Sequence, residues 1–312
     1  MRSFKQFLRI SAGSPLYRKK FGGLATEIAD FKDFSARIPL TTLEELVAEK
    51  ISSGDPYASR LCGNGAPLVT FQLEYDTETR LYLALSRQDL KKYAEALRRC
   101  WSLVGLRKGD AVAIFDYGTS PVSYLASSAF TPHLSQGAAD ALGCLPICND
   151  GVANMSQRVV EILKFIRPKA LFIRSDCLEP FSIESERQLG SLSAYTGALV
   201  VTENEGCLTK VERDAYEKRL GLPVYRLLRI DAGMFLAMEC PECRLFHSWK
   251  ELYYIESVTR AGDDVDEGGQ KSLAVTNWFA RTCPAVRYLS QVKGSVHSAG
   301  CRRGRADIRI TA

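Results

Sequence analysis

The sequence has no apolar run of the roughly 18 to 20 residues that a membrane-spanning helix needs. Its opening residues, MRSFKQFLRISAGSPLYRKKFGG, also lack the apolar stretch of a secretory signal, so export is not expected. No internal repeat or low-complexity tract is present, which argues against a solenoid or a disordered chain. The ten cysteines are therefore expected to be reduced thiols in a cytoplasmic protein, mostly buried, with metal binding as a further hypothesis.

The sequence also lacks a large excess of either positive or negative charge. The net charge is +5, and the hydrophobic (46%) and charged (25%) fractions are ordinary for a globular protein. One basic cluster, CRRGRADIR, lies near the end of the chain. Such a cluster can meet phosphate or nucleic acid, but a solvated surface is the favoured interpretation. We therefore expect neither a nucleic-acid nor a membrane partner.

Hydrophobic patterning divides the 312 residues into two regions. Up to about residue 230, short apolar strands alternate with amphipathic helices, which predicts α/β layers with largely parallel pairing. After that point strands follow one another without long helices, which predicts antiparallel β structure and an exposed acidic turn at RAGDDVDEGGQK. We predict an α/β region at 1–230 and a β-rich region at 231–312, together forming one compact unit.

The clearest helix is SRQDLKKYAEALRRCWSLVGL. Its apolar residues Leu90, Tyr93, Leu97 and Trp101 fall on one face at helical spacing, and Ser86 is placed to cap the first turn. A second prediction concerns LPICND, which is interpreted as a core strand in which Cys148 serves for packing.

The stretch CPECRLFH places Cys240, Cys243 and His247 at a spacing that lets two thiolates and an imidazole reach one ion. Zinc is favoured on this spacing. The alternative is a set of small buried thiols beside a hydrogen-bonded histidine, because free cysteine is among the most buried residue types.

Several segments resemble the phenylacetate–CoA ligases and coenzyme F390 synthetase-like proteins of the adenylate-forming superfamily. They include SPLYRKKFGG…DFSARIPLTTLEELVAE, the helix segment above, LGCLPICNDGVANMSQRVVEILKFIRPKALFIRSD and SLAVTNWFARTCPAVRYLSQVKG…CRRGR. The resemblance covers nearly the whole chain in the same order. It implies the large N-terminal region of an adenylate-forming enzyme fold, in which mixed sheets are flanked by helices and followed by a β-rich part. It also implies that the family's smaller C-terminal domain is lacking.

The resemblance implies chemistry in which ATP and magnesium activate a carboxylate, which is then passed to CoA. The family's phosphate loop is rich in Ser, Thr and Gly, whereas FQLEYDTETRLYLALS has no glycine and would place Glu74, Asp76 and Glu78 near the phosphates. A regular hairpin here would argue against phosphate binding, and an open loop with exposed amides would favour it.

Three positions match the family's nucleotide contacts in part. Tyr225 is kept near the magnesium motif, and Asp231 is the one nearby carboxylate, although a surface-turn role for it is favoured. Arg287 is kept in the RY motif, but Val292 replaces the family's ribose-binding aspartate and cannot accept those hydrogen bonds.

The segment FDYGTSP matches a strand-to-loop junction beside the family's substrate pocket. The resemblance therefore makes Asp116, Tyr117 and Ser120 candidates for lining a cleft, with a plain turn closed by glycine and proline as the alternative.

In the family, a cysteine and a histidine of the β region meet two cysteines of a later motif. Here CRRGR keeps Cys301 and has Arg303 in place of the second cysteine, so the implied zinc ligands are Cys240, Cys243, His247 and Cys301, with His297 as the alternative fourth. Four protein ligands leave no open position, which predicts a structural site rather than a catalytic one.

Together these features predict a degenerate relative of ATP-dependent acyl- or aryl-CoA ligases that does not catalyse alone. It would act by binding a small-molecule carboxylate or a protein partner, and a homodimer is also considered. The alternative is an active carboxylate-activating ligase with altered ATP contacts, or one completed by a separate chain. ATP, magnesium and CoA would be cofactors only in that second case.

Overall fold

The structure, a computed structural model, describes residues 2–63, 67–74, 80–150, 155–206, 208–259, 271–297, 301 and 308–312. The predicted acidic turn falls at 260–270, outside the described residues, and so do Asp76, Glu78 and Arg303.

In the described chain, four α-helices and a pair of strands come first, and helices then alternate with strands between residues 87 and 230. The helices are α1 (Arg2–Ser11), α2 (Pro15–Phe21), α3 (Phe31–Arg37), α4 (Leu43–Ser53), α5 (Arg87–Leu103), α6 (Pro121–Tyr124), α7 (Ala138–Leu142), α8 (Ser156–Ile166), α9 (Ser175–Leu189) and α10 (Lys210–Leu220). No helix in the described ranges combines the length and the hydropathy required to cross a bilayer.

The strands of the described chain are β1 (Val69–Glu74), β2 (Arg80–Leu85), β3 (Ala111–Asp116), β4 (Leu145–Asp150), β5 (Ala170–Arg174), β6 (Leu199–Asn204), β7 (Val224–Ile230), β8 (Phe235–Glu239), β9 (Phe246–Ser248), β10 (Tyr253–Val258), β11 (Ser272–Asn277), β12 (Tyr288–Lys293), β13 (Ser295–His297) and β14 (Ile308–Thr311).

The largest sheet has nine strands in the order β13-β14-β9-β8-β7-β6-β5-β3-β4. Strand β3 pairs in parallel with β4 and β5, β5 with β6, and β6 with β7, as the alternation of strands and helices predicts. The chain reverses its direction across the sheet at β3, which has β4 on one side and β5 on the other. The carboxyl ends of β3 and β5 therefore form a topological switch point, where open α/β sheets bind ligands.

Antiparallel pairing dominates the later part of the chain, as predicted. Strands β10, β11 and β12 form a three-stranded antiparallel sheet, and β9 pairs antiparallel with both β8 and β14. Strands β1 and β2 form a separate antiparallel hairpin.

The chain groups into two compact units that each draw on three segments. The first unit contains residues 1–92, 230–235 and 249–296, and the second contains 93–229, 236–248 and 297–312. The domain division predicted at residue 230 stays a prediction.

Helix α5 has the predicted buried face. Leu90, Tyr93, Leu97 and Trp101 are completely buried. Ser86 caps the helix reciprocally with Asp89: the Asp89 N–H donates to Ser86 Oγ (3.3 Å), and the Ser86 N–H donates to Asp89 Oδ2 (3.0 Å). The cap satisfies donors that the first turn leaves free, so the helix begins where the sequence indicates.

Two elements differ from the sequence-based expectations. Helix α9 was not predicted, because its buried face includes Ser182 and Ser185 and its middle contains Pro180, so the apolar periodicity is weak. Strand β4 was expected in the core but lies at the end of the nine-strand order, and Cys148 is exposed. A strand with one neighbour can leave its side chains exposed even when its sequence is apolar.

Candidate functional site

Four side chains in the second unit form a group suited to a metal ion. The Sγ atoms of Cys240, Cys243 and Cys301 and a ring nitrogen of His247 all lie within 4.8 Å of one another. These are the four residues inferred from the sequence, and Cys301 is far from the other three along the chain.

One sulfur–sulfur separation in the group matches tetrahedral zinc, whereas the sulfur–nitrogen separation is shorter than a bound ion would set. With Zn–S bonds of about 2.3 Å, two thiolates of a tetrahedral site lie about 3.8 Å apart. Cys240 Sγ and Cys301 Sγ are separated by 3.8 Å, and Cys243 Sγ lies 3.1 Å from His247 Nε2. Three sulfur ligands and one imidazole are a donor set that zinc prefers.

Three strands position the group. Cys240 follows β8, His247 lies on β9, and the register aligns His247 with Met238 of β8 on one side and with Arg309 of β14 on the other. Between β8 and β9 the chain makes a tight turn, in which the Cys240 N–H donates to the Leu245 carbonyl (2.9 Å). This turn brings Cys243 back over the strand pair, so the ligands come from a rigid scaffold.

Burial determines the protonation of the ligands. Burial lowers the pKa of His247, and the nearby Arg309 charge lowers it further, which keeps the imidazole in the neutral form that binds metals. Burial raises the pKa of Cys243 to about 11, and the neighbouring thiols Cys301 and Cys240 add to the rise. A cation must therefore displace protons from the thiols when it binds.

The two histidines considered as ligands, His247 and His297, differ in their surroundings. His247 Nδ1 is buried and has no hydrogen-bond partner in the described structure, so the usual outer contact of a metal-bound histidine is missing here. His297 lies outside the group: it is exposed, and its Nε2 contacts Thr311 Oγ1 at 3.3 Å. Cys301 therefore occupies the fourth position in this geometry.

A second polar group lies at the carboxyl ends of the parallel strands. Asp116, at the end of β3, is 2% exposed and accepts hydrogen bonds from Arg229 Nη1 (3.0 Å) and Thr202 Oγ1 (3.2 Å). Its other oxygen accepts the Tyr117 N–H at 2.8 Å. Asp116 is thus held by three donors and joins β3, β6 and β7.

Tyr117 is the exposed residue of this group at the carboxyl ends of the strands. Its side chain is 45% exposed, and the guanidinium of Arg174, at the end of β5, lies 3.6 Å from the ring centre. Arg174 is held by Asp176, to which its Nε donates at 2.9 Å. Ser120 instead caps helix α6, where its Oγ accepts the Ser123 N–H at 3.3 Å.

Arg174, Thr202 and Arg229 were not singled out from the sequence. The signal that marks them is their place at the ends of consecutive predicted parallel strands, because the carboxyl ends of such strands meet at one edge.

The remaining nucleotide-site candidates are distributed in the fold. Tyr225 is half-buried on β7 with the Arg244 guanidinium 5.2 Å from its ring centre. Asp231 lies in a 3₁₀ turn over 231–233, as a turn residue, but is 5% exposed rather than on the surface. Tyr225 and Asp231 belong to different units.

Arg287 is fully engaged within the first unit. Its guanidinium makes a two-point contact with Glu256, through Nε (2.9 Å) and Nη2 (3.0 Å), and Nη1 donates to the Ile38 carbonyl. Val292, at the place of the family's ribose-binding aspartate, is 5% exposed.

The glycine-free segment is a regular hairpin as far as the structure describes it. Strands β1 and β2 pair residue by residue from Val69↔Leu85 to Glu74↔Arg80. The five residues that connect them, 75–79, lie outside the described chain.

Comparison with known proteins gives structural matches only. No protein-family model matches the sequence, and no curated protein matches it. An open conformation of 2-hydroxyisobutyryl-CoA ligase with 2-HIB-AMP and CoA superimposes with a TM-score of 0.81 at 19% identity, over 99% of this chain and 72% of that one. The same ligase in its thioesterification state gives a TM-score of 0.82 at 18% identity, over 100% of this chain and 66% of that one.

These matches confirm the predicted fold class, which is the mixed α/β fold of the N-terminal region of adenylate-forming enzymes. The chain spans about two thirds to three quarters of the length of those ligases. At this identity the likeness concerns the fold, and membership of the adenylate-forming superfamily and of its phenylacetate–CoA ligase subfamily stays a prediction.

Proposed function

We propose that this chain is a non-catalytic member of the adenylate-forming fold that acts by binding a small carboxylate or a protein partner. The β1–β2 hairpin is the observation that carries the proposal. Its pairing continues to Glu74↔Arg80 and leaves five connecting residues with no glycine. A loop that wraps phosphates needs flexible backbone with exposed amides, and this segment offers paired strands and carboxylates instead.

The contacts of the nucleotide-site candidates support the same proposal. Arg287 is already paired with Glu256, so its charge is neutralised within the protein. Val292 has no polar atom for ribose hydroxyls. The engaged Arg287 and the apolar Val292 each withhold a contact that ATP would require, and together they favour a protein that does not hold ATP.

The switch-point edge is the place where we propose that a carboxylate ligand binds. Tyr117 presents an exposed ring on which the Arg174 guanidinium stacks, and Asp176 pairs with Nε and Nη2 of that guanidinium. A carboxylate ligand would therefore meet an apolar ring beside a guanidinium that it shares with Asp176. Aryl and acyl acids combine an apolar body with a carboxylate that a guanidinium recognises well.

Calorimetry with ATP-Mg and with a panel of aryl and acyl acids, together with an assay of pyrophosphate release, tests this function. We expect no ATP heat, no pyrophosphate, and saturable binding of at least one acid that Tyr117→Ala weakens. A matched control is Tyr195→Ala, because Tyr195 also carries a guanidinium, that of Arg167, at 5.7 Å from its ring. Acid-dependent pyrophosphate release would contradict the non-catalytic proposal.

A second candidate is an active carboxylate-activating ligase, favoured by the match of the whole chain to a ligase solved with its acyl-adenylate and CoA. In that case the ATP contacts are rebuilt around the hairpin, or a closing domain is supplied by another chain. This candidate would be selected if the protein binds ATP and releases pyrophosphate only when the acid is present, and if Tyr117→Ala keeps both activities.

In either case we propose a structural zinc ion at Cys240, Cys243, His247 and Cys301. The ion would supply no open coordination position for chemistry, and would hold the β8–β9 turn to the chain at Cys301.

A further inference from the structure

The first unit contains a cavity that the proposed function does not use. It has a volume of about 330 Å³ and is lined by Gln6, Ile10, Gln88 and Arg281. Gln6 and Ile10 lie on α1, Gln88 is the second residue of α5, and Arg281 follows β11. This volume is at the small end of the range for ligand pockets.

Arg281 brings an unpaired positive charge to the cavity. Its Nη1 atom is buried and has no hydrogen-bond partner, and Arg281 takes part in no ion pair within the described ranges of the chain. Because Arg281 lines the cavity and has no acidic partner in the described ranges, an anionic ligand there would gain a charge-assisted contact.

The other lining groups are suited to an anion. Gln6 and Gln88 each carry a carboxamide that can donate two hydrogen bonds. Gln88 lies in the first turn of α5, where the aligned peptide dipoles of a 17-residue helix place positive potential. Helix α1, RSFKQFLRIS, has three basic residues and no acidic one.

The nearest carboxylate is already used. Asp89 Oδ1 accepts the Arg281 N–H at 2.8 Å, and Oδ2 accepts the Ser86 N–H at 3.0 Å and the Ser86 hydroxyl at 2.8 Å. Asp89 therefore orients the Arg281 backbone, while the Arg281 guanidinium remains available to a ligand.

We propose that this cavity binds the phosphoryl group of a small molecule. A tetrahedral dianion can accept from several converging donors at once, and the cavity offers one guanidinium and two carboxamides at the positive end of a helix. The site is separate from the nucleotide site that the family resemblance implies. The paired residues Glu74 and Arg80 lie at one end of the hairpin, and Ser86 with α5 follows the Leu85 end, about 20 Å away for a six-residue strand. The inference does not depend on the proposed function.

Titration calorimetry of the full chain with orthophosphate, and with acetate at the same ionic strength, tests the site. We expect one phosphate site per chain and acetate binding at least roughly tenfold weaker. Arg281→Met should weaken phosphate binding at least roughly tenfold, and Arg281→Lys should weaken it less, because the charge stays while the two-point contact is lost.

Arg158→Met, which removes an exposed arginine of α8 in the other unit, is the matched control and should leave phosphate binding unchanged. Gln6→Ala provides a second test at an exposed position of α1 if Arg281→Met lowers the thermal midpoint. No saturable phosphate binding, equal affinity for acetate, or binding that is unchanged in both Arg281→Met and Gln6→Ala would overturn the proposal.

Discussion

Replacing Cys301 with serine should release the end of the chain from the proposed zinc centre. Cys240, Cys243 and His247 all lie within one short hairpin, so only Cys301 ties that hairpin to a distant part of the sequence. The three remaining ligands can still contact a metal, but they no longer close the chain between residues 247 and 301.

The magnitude follows from the length of that closed segment. A cross-link that closes about 54 residues lowers the entropy of the unfolded chain by an amount equivalent to about 4 kcal/mol at 25 °C. Residual structure in the unfolded chain lowers the effect, so we expect Cys301→Ser to reduce the free energy of unfolding of the zinc-loaded protein by about 2 to 4 kcal/mol. Pairing of β9 with β14 continues without the ligand, so the native fold should survive.

Urea unfolding of both proteins with one equivalent of zinc, alongside elemental analysis, provides the assay. Cys148→Ser is the matched control, because Cys148 is an exposed thiol outside the metal group and its replacement should change the stability little. Removing zinc with a chelator should erase the difference between wild type and Cys301→Ser. Wild-type protein with no stoichiometric zinc, or a Cys301→Ser variant that is as stable as wild type with zinc, would refute the reasoning.

Three further predictions concern pH, a buried ion pair and a helix cap. Zinc affinity should fall as the pH falls from neutral, because thiols such as Cys243, whose pKa burial raises to about 11, must lose protons when they bind the ion. The lowered pKa of His247 keeps the imidazole neutral over the same range. Calorimetry at several pH values, with proton release measured, checks this, and an affinity that does not change with pH would contradict it. Arg229→Met should lower the free energy of unfolding by about 3 to 5 kcal/mol, because it leaves the Asp116 carboxylate buried without its cation. Adding Asp116→Asn should recover part of that loss, and chemical denaturation of both variants measures it. Thr209→Ala should lower the free energy of unfolding by about 1 kcal/mol in the same assay, since the Thr209 hydroxyl accepts a hydrogen bond from the N–H of the third residue of α10. An unchanged denaturation midpoint would count against that capping role.

Local patterns predicted the elements whose neighbours in sequence share one physical environment. The buried face of α5 was predictable because residues three and four apart lie on one side of a helix. The parallel strands were predictable because each is a short apolar run between helices. Helix α9 was missed because serines occupy part of its buried face, and the helix is stabilised by packing rather than by a strong apolar repeat.

The metal group was only partly predictable from the spacing of its residues. Cys240, Cys243 and His247 are close in sequence, so a tight turn brings them together in almost any fold that contains it. Cys301 is 54 residues beyond His247, and only the folded chain brings its Sγ to within 4.8 Å of the other three ligand atoms. Spacing alone does not indicate Cys301 as a ligand, and the resemblance to a family supplied that residue.

The sequence by itself determined most of the elements other than α9, their order, the layered α/β class and the lack of glycine in the segment that connects β1 and β2. These depend on side-chain periodicity and on residue type, which are local properties. Tertiary structure alone decided which charges are neutralised and which remain free. Arg287 meets Glu256 and Arg229 meets Asp116, whereas Arg281 faces a cavity without an acidic partner in the described chain. The physical reason is that ion pairing depends on distances of a few ångströms between residues far apart in sequence, and only the folded chain brings those residues together.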